Sequence, residues 1–179
     1  LSDVPYVETF NMDYVQGYVN HVPYWTHGTS ILKEDGSMAY MPFINQNTST
    51  GSLKNYSFTQ TTALVFAGAN STSTVIPAGH YVYAATPEMN VSSVSTLQAT
   101  FWGTAESYVG ADYVSGLIVG VMDDPADFST FVPVDTVYVT TNDAFDRFTI
   151  NFDNYKGEGK YIAFASNFME KDNIFYMDD

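Results

Sequence analysis

The sequence predicts an all-β protein, a sandwich or barrel of about ten strands, and three observations lead there. Residues that suit a pleated, half-buried surface are abundant: 14 Tyr and 13 Phe stand among many Val and Thr, and 16% of the 179 residues are aromatic. Apolar alternation comes in short runs broken by Gly, Pro, Asn and Asp. No segment carries a sustained helical period with caps, and the best helical stretch is a turn or two at "DYVQGYVN".

Taken in order, "VPYVETF" alternates and places Tyr6, Glu8 and Phe10 on one face of an opening strand. "GSMAYMPFIN" and "NYSFTQTTALVFAGAN" hold the next strand-like runs. "GHYVYAAT" is short and "VSTLQATFWG" longer. "VSGLIVGVM" is apolar on both faces, as a central strand would be. "FVPVDTVYVT", "AFDRFTINF", "KYIAFAS" and "NIFYMDD" complete the set. "NTSTGS" and "GANSTSTVIPAG" read as polar loops. No repeat or interdomain linker is visible, so a single domain over residues 1–179 is expected. The start at Leu1, without a signal-peptide pattern, reads as a mature or excised piece of a longer product.

Six basic against twenty acidic residues give a net charge of −14. Such a surface repels phosphate backbones and anionic membranes, while metal cations and neutral ligands remain compatible. The absence of cysteine removes disulfides, zinc–thiolate sites and thiol chemistry. No run of about 18 apolar residues is present to span a membrane as a helix.

The carboxylates carry the sharpest expectation. Glu8 is in phase with Tyr6 and Phe10, Asp178 with Ile174 and Tyr176, and Asp179 with Phe175 and Met177. One terminal aspartate must therefore point where apolar side chains point, and a buried carboxylate must be protonated, paired or metal-bound. With so few basic residues, calcium fits best, being a hard cation that takes 6–8 oxygen ligands. If the first and last strands lie side by side, Glu8 comes close to Asp178 and Asp179. Alternation alone does not say which aspartate is the ligand.

"FWGTAES", "GLIVGVMDDPADFSTFVPVDTV", "FTINFDNYKGEGKYIAFAS" and "NIFYMDD" follow one another in the order that resembles the cleaved-adhesin (gingipain adhesin, K-type) domains of bacterial surface proteins. The opening "VPYVETF" followed by "VPYWT" is similar too. Residues 33–80 match nothing in that pattern and read as an elaboration. The resemblance implies a jelly-roll β-sandwich of two antiparallel sheets, related to MAM domains and carbohydrate-binding modules. It implies an exported, non-catalytic module of a larger polypeptide, secreted or on the surface of a Gram-negative bacterium. Its partners would be a host or environmental glycan or protein and its neighbouring domains, with no nucleic acid and no membrane insertion. Structural calcium is implied as well, at an opening-strand acid and the terminal Asp-Asp. The family often has Glu or Asp after the opening Phe, where this chain has Asn11, an oxygen donor with less charge. The expected metal set is thus Glu8, Asn11, Asp178 and Asp179. The alternative is a carbohydrate-binding module accessory to a glycoside hydrolase.

Other constellations are weaker. Asp123, Asp124 and Asp127 in "MDDPADFST" lack the Gly and distal Glu of an EF-hand and read as side-chain-capped turns. Tyr14, Tyr18, Tyr24 and Trp25 crowd the first loops. Trp25 is expected to plug one end of the sandwich, and Trp102 to be core. Tyr108 and Tyr113, in the Gly-rich "ESYVGADY", are the residues to examine for ligand at a loop rim. His21, His27 and His80 have no metal-binding spacing. "GEGK" lacks the P-loop pattern and reads as a hairpin turn. No residue is marked as catalytic.

Overall fold

The computed structural model describes residues 1–10, 22, 24–30, 43–46, 62–67, 80–107, 114–140, 144–166 and 173–179. Ten strands lie within them: β1 (Thr26–Thr29), β2 (Phe43–Gln46), β3 (Thr62–Ala67), β4 (Val82–Ala85), β5 (Gln98–Ser107), β6 (Val114–Met122), β7 (Val132–Thr140), β8 (Asp146–Asn151), β9 (Tyr161–Ser166) and β10 (Asn173–Asp178). Among the described residues the only helical pieces are 3₁₀ turns at Val94–Thr96 and Phe128–Thr130. The strands form two five-stranded antiparallel sheets, in the orders β1-β4-β9-β6-β7 and β2-β3-β10-β5-β8. This is the expected jelly-roll sandwich. From β3 onward the chain changes sheet at every step except β6 to β7, so only β2–β3 and β6–β7 pair strands adjacent in sequence.

The inner faces interdigitate. Leu64, Phe66, Phe175 and Met177 from one sheet meet Leu117, Val119, Val121 and Phe164 from the other. Phe66 and Phe175 are cross-strand partners with no exposed surface, as are Leu64 and Met177 to within 1%. Each such side chain contributes about 1.5–3 kcal/mol of burial. β6 is apolar on both faces, as its sequence predicts: Ile118 and Met122 point outward into a second cluster with Tyr83, Ala85, Ala163 and Ala165. Residues 123–131 fold back over that face. The Phe128 ring lies 5.0 Å from both Tyr81 and Tyr83, and the Tyr83 hydroxyl donates to the Pro125 carbonyl at 3.1 Å. The aspartates build this loop as turn residues: Asp124 Oδ1 accepts the Ala126 N–H and Asp127 Oδ1 the Ser129 N–H, each at 2.9 Å. The Ser129 hydroxyl and N–H hold the Asp127 carboxyl below its usual range.

Three expectations need correction, and one strand was not foreseen. The opening "VPYVETF" does alternate, with Tyr6 and Glu8 half-buried, Phe10 buried and Val7 exposed, but it joins neither sheet. Only Ser2 bridges, donating to the Glu88 carbonyl and accepting from the Asn90 N–H. Pro5 supplies no N–H to a ladder, and Phe10 turns into the left-handed region at φ 51°. The closing strand β10 therefore does not lie beside the opening segment but between β3 and β5. Its partner β3 comes from the stretch read as an elaboration, whose apolar register matches it. "GEGK" is not a hairpin turn, because β8 and β9 belong to different sheets and residues 152–160 cross between them. Finally, β1 is built from "THGT", which has no apolar run. It is admitted because Gly28 leaves room for the Tyr83 ring, where any Cβ would collide.

Gly120 sits at a register shift between β6 and β7, and a Cβ there would run into the Val132 carbonyl oxygen and the Phe131 ring. Gly120→Ala should cost about 1–3 kcal/mol in urea unfolding. Gly116→Ala meets the exposed Tyr138 ring at 3.1 Å, which can swing away, and should stay within about 0.5 kcal/mol of wild type. Equal losses at the two glycines would refute this packing account.

Candidate functional site at one end of the sandwich

A cleft of about 600 Å³ lies where β4 and β10 end and β5 and β9 begin. That size falls within the range of small-ligand sites, on the order of 300–1,000 Å³. Its floor is apolar, made by Trp25, Phe101, Phe164 and Met177. One wall is the N-terminal segment from Val4 to Glu8.

Side-chain bonds hold that wall rather than a ladder. The Trp25 indole N–H donates to the Tyr6 hydroxyl at 2.9 Å, and Tyr6 in turn donates to Glu8 Oε2 at 3.1 Å. Glu8 Oε1 accepts the Phe10 N–H at 3.0 Å, which stabilises the left-handed turn there. The Phe10 ring stands edge-on to Trp25 at 5.4 Å, and Trp25 stacks on Phe164 at 6.0 Å. Trp25 thus plugs this end of the core at 8% exposure, as expected, while its neighbour Tyr24 projects outward at 90%. Tyr24 has φ 68°, and the turn is closed by the Trp25 N–H donating to the Val22 carbonyl at 3.1 Å. His27 is buried, and its Nε2 accepts the Val22 N–H at 3.1 Å. It serves the turn before β1. Burial pushes the Tyr6 phenol up to about 12, the Trp25 hydrogen bond opposes this, and the Glu8 charge and hydrogen bond add to it.

The acidic residues separate into two environments. Glu8 and Asp179 line the same cleft. Asp178 has no exposed surface and points to the opposite face of β10, in phase with buried Tyr176; on β5 its cross-strand partner is Trp102, and that of Tyr176 is Thr104. Asp178 Oδ1 accepts the Asp179 N–H at 3.0 Å, and Asp179 turns into the left-handed region at φ 52°. Asn11, Tyr108 and Tyr113 lie outside the described residues, as do Tyr14, Tyr18 and His21. Among the described residues no three His, Cys, Asp or Glu side chains gather as a metal cluster. What the cleft offers a cation is two carboxylates, and each Glu8 oxygen keeps a lone pair beyond its one hydrogen bond. Sequence reasoning missed Phe101, Phe164 and Met177 as the floor. Their alternation marks them as core, and nothing local says that the core is open at this end.

No protein-family model matches this sequence, and no curated protein sequence matches it. Solved structures do match in fold. The K1 cleaved adhesin domain of Lys-gingipain from Porphyromonas gingivalis W83 superimposes with a TM-score of 0.61 at 14% identity, covering 96% of this chain and 92% of that one. The K2 domain of Lys-gingipain gives 0.62 at 12% identity, over 97% and 94%. The K3 domain from the same strain gives 0.55 at 17% identity, over 88% of each chain. At these identities the likeness establishes a shared fold.

Because the folded state raises the Tyr6 pKa above the ordinary 10, it holds that proton more tightly than the unfolded chain does. The stabilisation from Tyr6 is therefore complete below pH 10 and is lost as pH rises towards about 12. Burial also raises Tyr83, Tyr155 and Tyr161, so the difference between wild type and Tyr6→Phe isolates the effect. That difference in unfolding free energy should shrink between pH 10 and 12. A gap that does not change with pH would overturn the assignment.

Proposed function

We propose that this chain is a non-catalytic, extracellular ligand-binding module of the adhesion type, exported as part of a larger bacterial surface or secreted protein and stabilised by calcium. One observation carries the reading: an apolar cleft of about 600 Å³ bounded by Glu8 and Asp179. An apolar floor with a few polar groups at its edge suits binding and orienting a partner. The fold shared with the Lys-gingipain adhesin domains supports the adhesive class. The partner is a glycan or a protein that inserts a ring or an apolar side chain. In an array of glycans and extracellular-matrix proteins, Ala99→Trp, which fills the cleft, should lose about tenfold or more of the signal of any wild-type hit. Retained binding by that variant would remove the cleft from the proposal.

Calcium would be held by Glu8 and Asp179, with Asp178 adjacent in sequence and Asn11 available as a neutral oxygen donor. So few charges fit the weak end of calcium sites, on the order of 0.1–1 mM. The ion would join the N-terminal wall to the end of β10, which no backbone ladder does. At about 10 mM calcium and a Kd near 0.1 mM, linkage adds about 2.7 kcal/mol. That corresponds to a melting temperature higher by roughly 5–10 °C. Chelator should reverse the rise, and Glu8→Gln with Asp179→Asn should abolish it. An unchanged melting curve, or an equal response in the double variant, removes the metal without touching the cleft.

A further inference from the structure

β7 is the terminal strand of its sheet among the described strands, bonded to β6 on one side only. Residues 136–140 of β7 read Thr-Val-Tyr-Val-Thr, a palindrome centred on Tyr138 with no charge, in a chain of net charge −14. Val137 and Val139 point into the core, at 7% and 2% exposure, whereas Tyr138 is 64% exposed. The backbone of Thr136 turns to the open edge: its N–H donates to its neighbour Asp135 Oδ1 at 2.8 Å, and the carbonyl oxygen of the next residue, Val137, lies towards Gly116 of β6. Antiparallel alternation then turns the N–H and C=O of Tyr138 and Thr140 to the same edge. N-terminal to this stretch the edge is blunted by exposed Pro133 and by the register shift opposite Gly120. Among the described residues the open, pairable edge is therefore the palindrome.

We propose that β7 is a self-association edge: two copies pair their residues 136–140 antiparallel about a two-fold axis at Tyr138, joining two five-stranded sheets into one of ten strands. An isologous contact needs a surface complementary to itself, and an antiparallel strand pair provides it when its sequence reads the same in both directions. Tyr138 then faces its own copy and each Thr136 faces a Thr140. Charge permits the register. The two Asp135 carboxylates fall six positions apart, about 20 Å along the strands. That exceeds the screening length of about 10 Å at 0.1 M salt. Asp135 acts as a gate, because its carboxylate occupies the Thr136 N–H that the partner strand would take. The contact is smaller than a standard interface, so the dimer is weak, on the order of 0.1–1 mM.

Sedimentation of the full chain over that concentration range should give a monomer–dimer equilibrium and nothing larger, because the two-fold contact closes. Salt should strengthen it by screening the repulsion between two acidic copies. Tyr138→Pro removes only an outward N–H, and Tyr138→Lys places like charges face to face; both should abolish the dimer. Asp135→Asn weakens the competing cap and removes two charges, and should tighten the dimer about tenfold. The chain has no cysteine, so Tyr138→Cys supplies a single reporter. Its Cα would lie about 5.5 Å from its copy, within disulfide reach. Mild oxidation should cross-link that variant and leave Val132→Cys, about 40 Å from its own copy, uncross-linked. A wild type that stays monomeric throughout, a dimer that survives both Tyr138 substitutions, open-ended oligomers, or equal cross-linking of the two cysteines would each overturn the proposal.

Discussion

β10 is the strand on which the rest of the sandwich depends. It is bonded on both sides, to β3 and to β5, and it closes a sheet whose other members come from widely separated parts of the chain. One of its faces delivers Phe175 and Met177 to the core between the sheets. The other face is buried too, with Tyr176 at 2% and Asp178 at 0% exposure. Across from Tyr176, the buried Thr104 Oγ1 has no hydrogen-bond partner among the described residues. A strand that must satisfy two neighbours and two packed faces tolerates no slip in register, since a shift of one residue would exchange Phe175 for Tyr176 against the core. Its pairings are also long-range, so the loop-closure entropy of the fold is met only when the last strand docks.

The opposite sheet settles its outer face by different means. Small residues, Ala85, Ala163, Ala165 and Gly120, let residues 123–131 lie close against it, and the rings of Phe128 and Phe131 stack 5.2 Å apart over that floor. The acids that shape this loop are turn residues first. Their charge nevertheless reaches the cluster: burial chiefly raises the Tyr83 phenol, with Asp124 and Asp127 adding to the effect.

The strands legible in the sequence were those whose apolar period reports burial directly. "VSGLIVGVM" is central because both its faces are apolar, and β6 has neighbours on both sides. The strand β1 was not legible, because "THGT" is buried through what Gly28 omits and through a histidine that takes a backbone N–H, and neither leaves a hydrophobic period. The placement of β10 was half legible. Its alternation was correct, but strand order is a property of pairing partners, and β3 lay in a stretch that resembled nothing. At the cleft, the phase of Tyr6, Glu8 and Phe10 did anticipate a common inward face. The bond from Trp25 to Tyr6 spans 19 residues and has no local signature.

That bond also explains why the cleft exists where it does. Were the opening segment a true edge strand, a ladder would seal it against the sheet and the core would close beneath it. Instead the segment is fastened at Ser2 by backbone bonds and at Tyr6, Glu8 and Phe10 by side chains, with exposed Val7 between these points. A wall held at separate points opens locally at a lower free-energy cost than a paired strand. Its closed form would be favoured by anything that binds only when the wall is in place, so the proposed ligand and the proposed calcium would each order the wall. The two carboxylates of the cleft stand on its two sides, Glu8 on the wall and Asp179 just beyond β10.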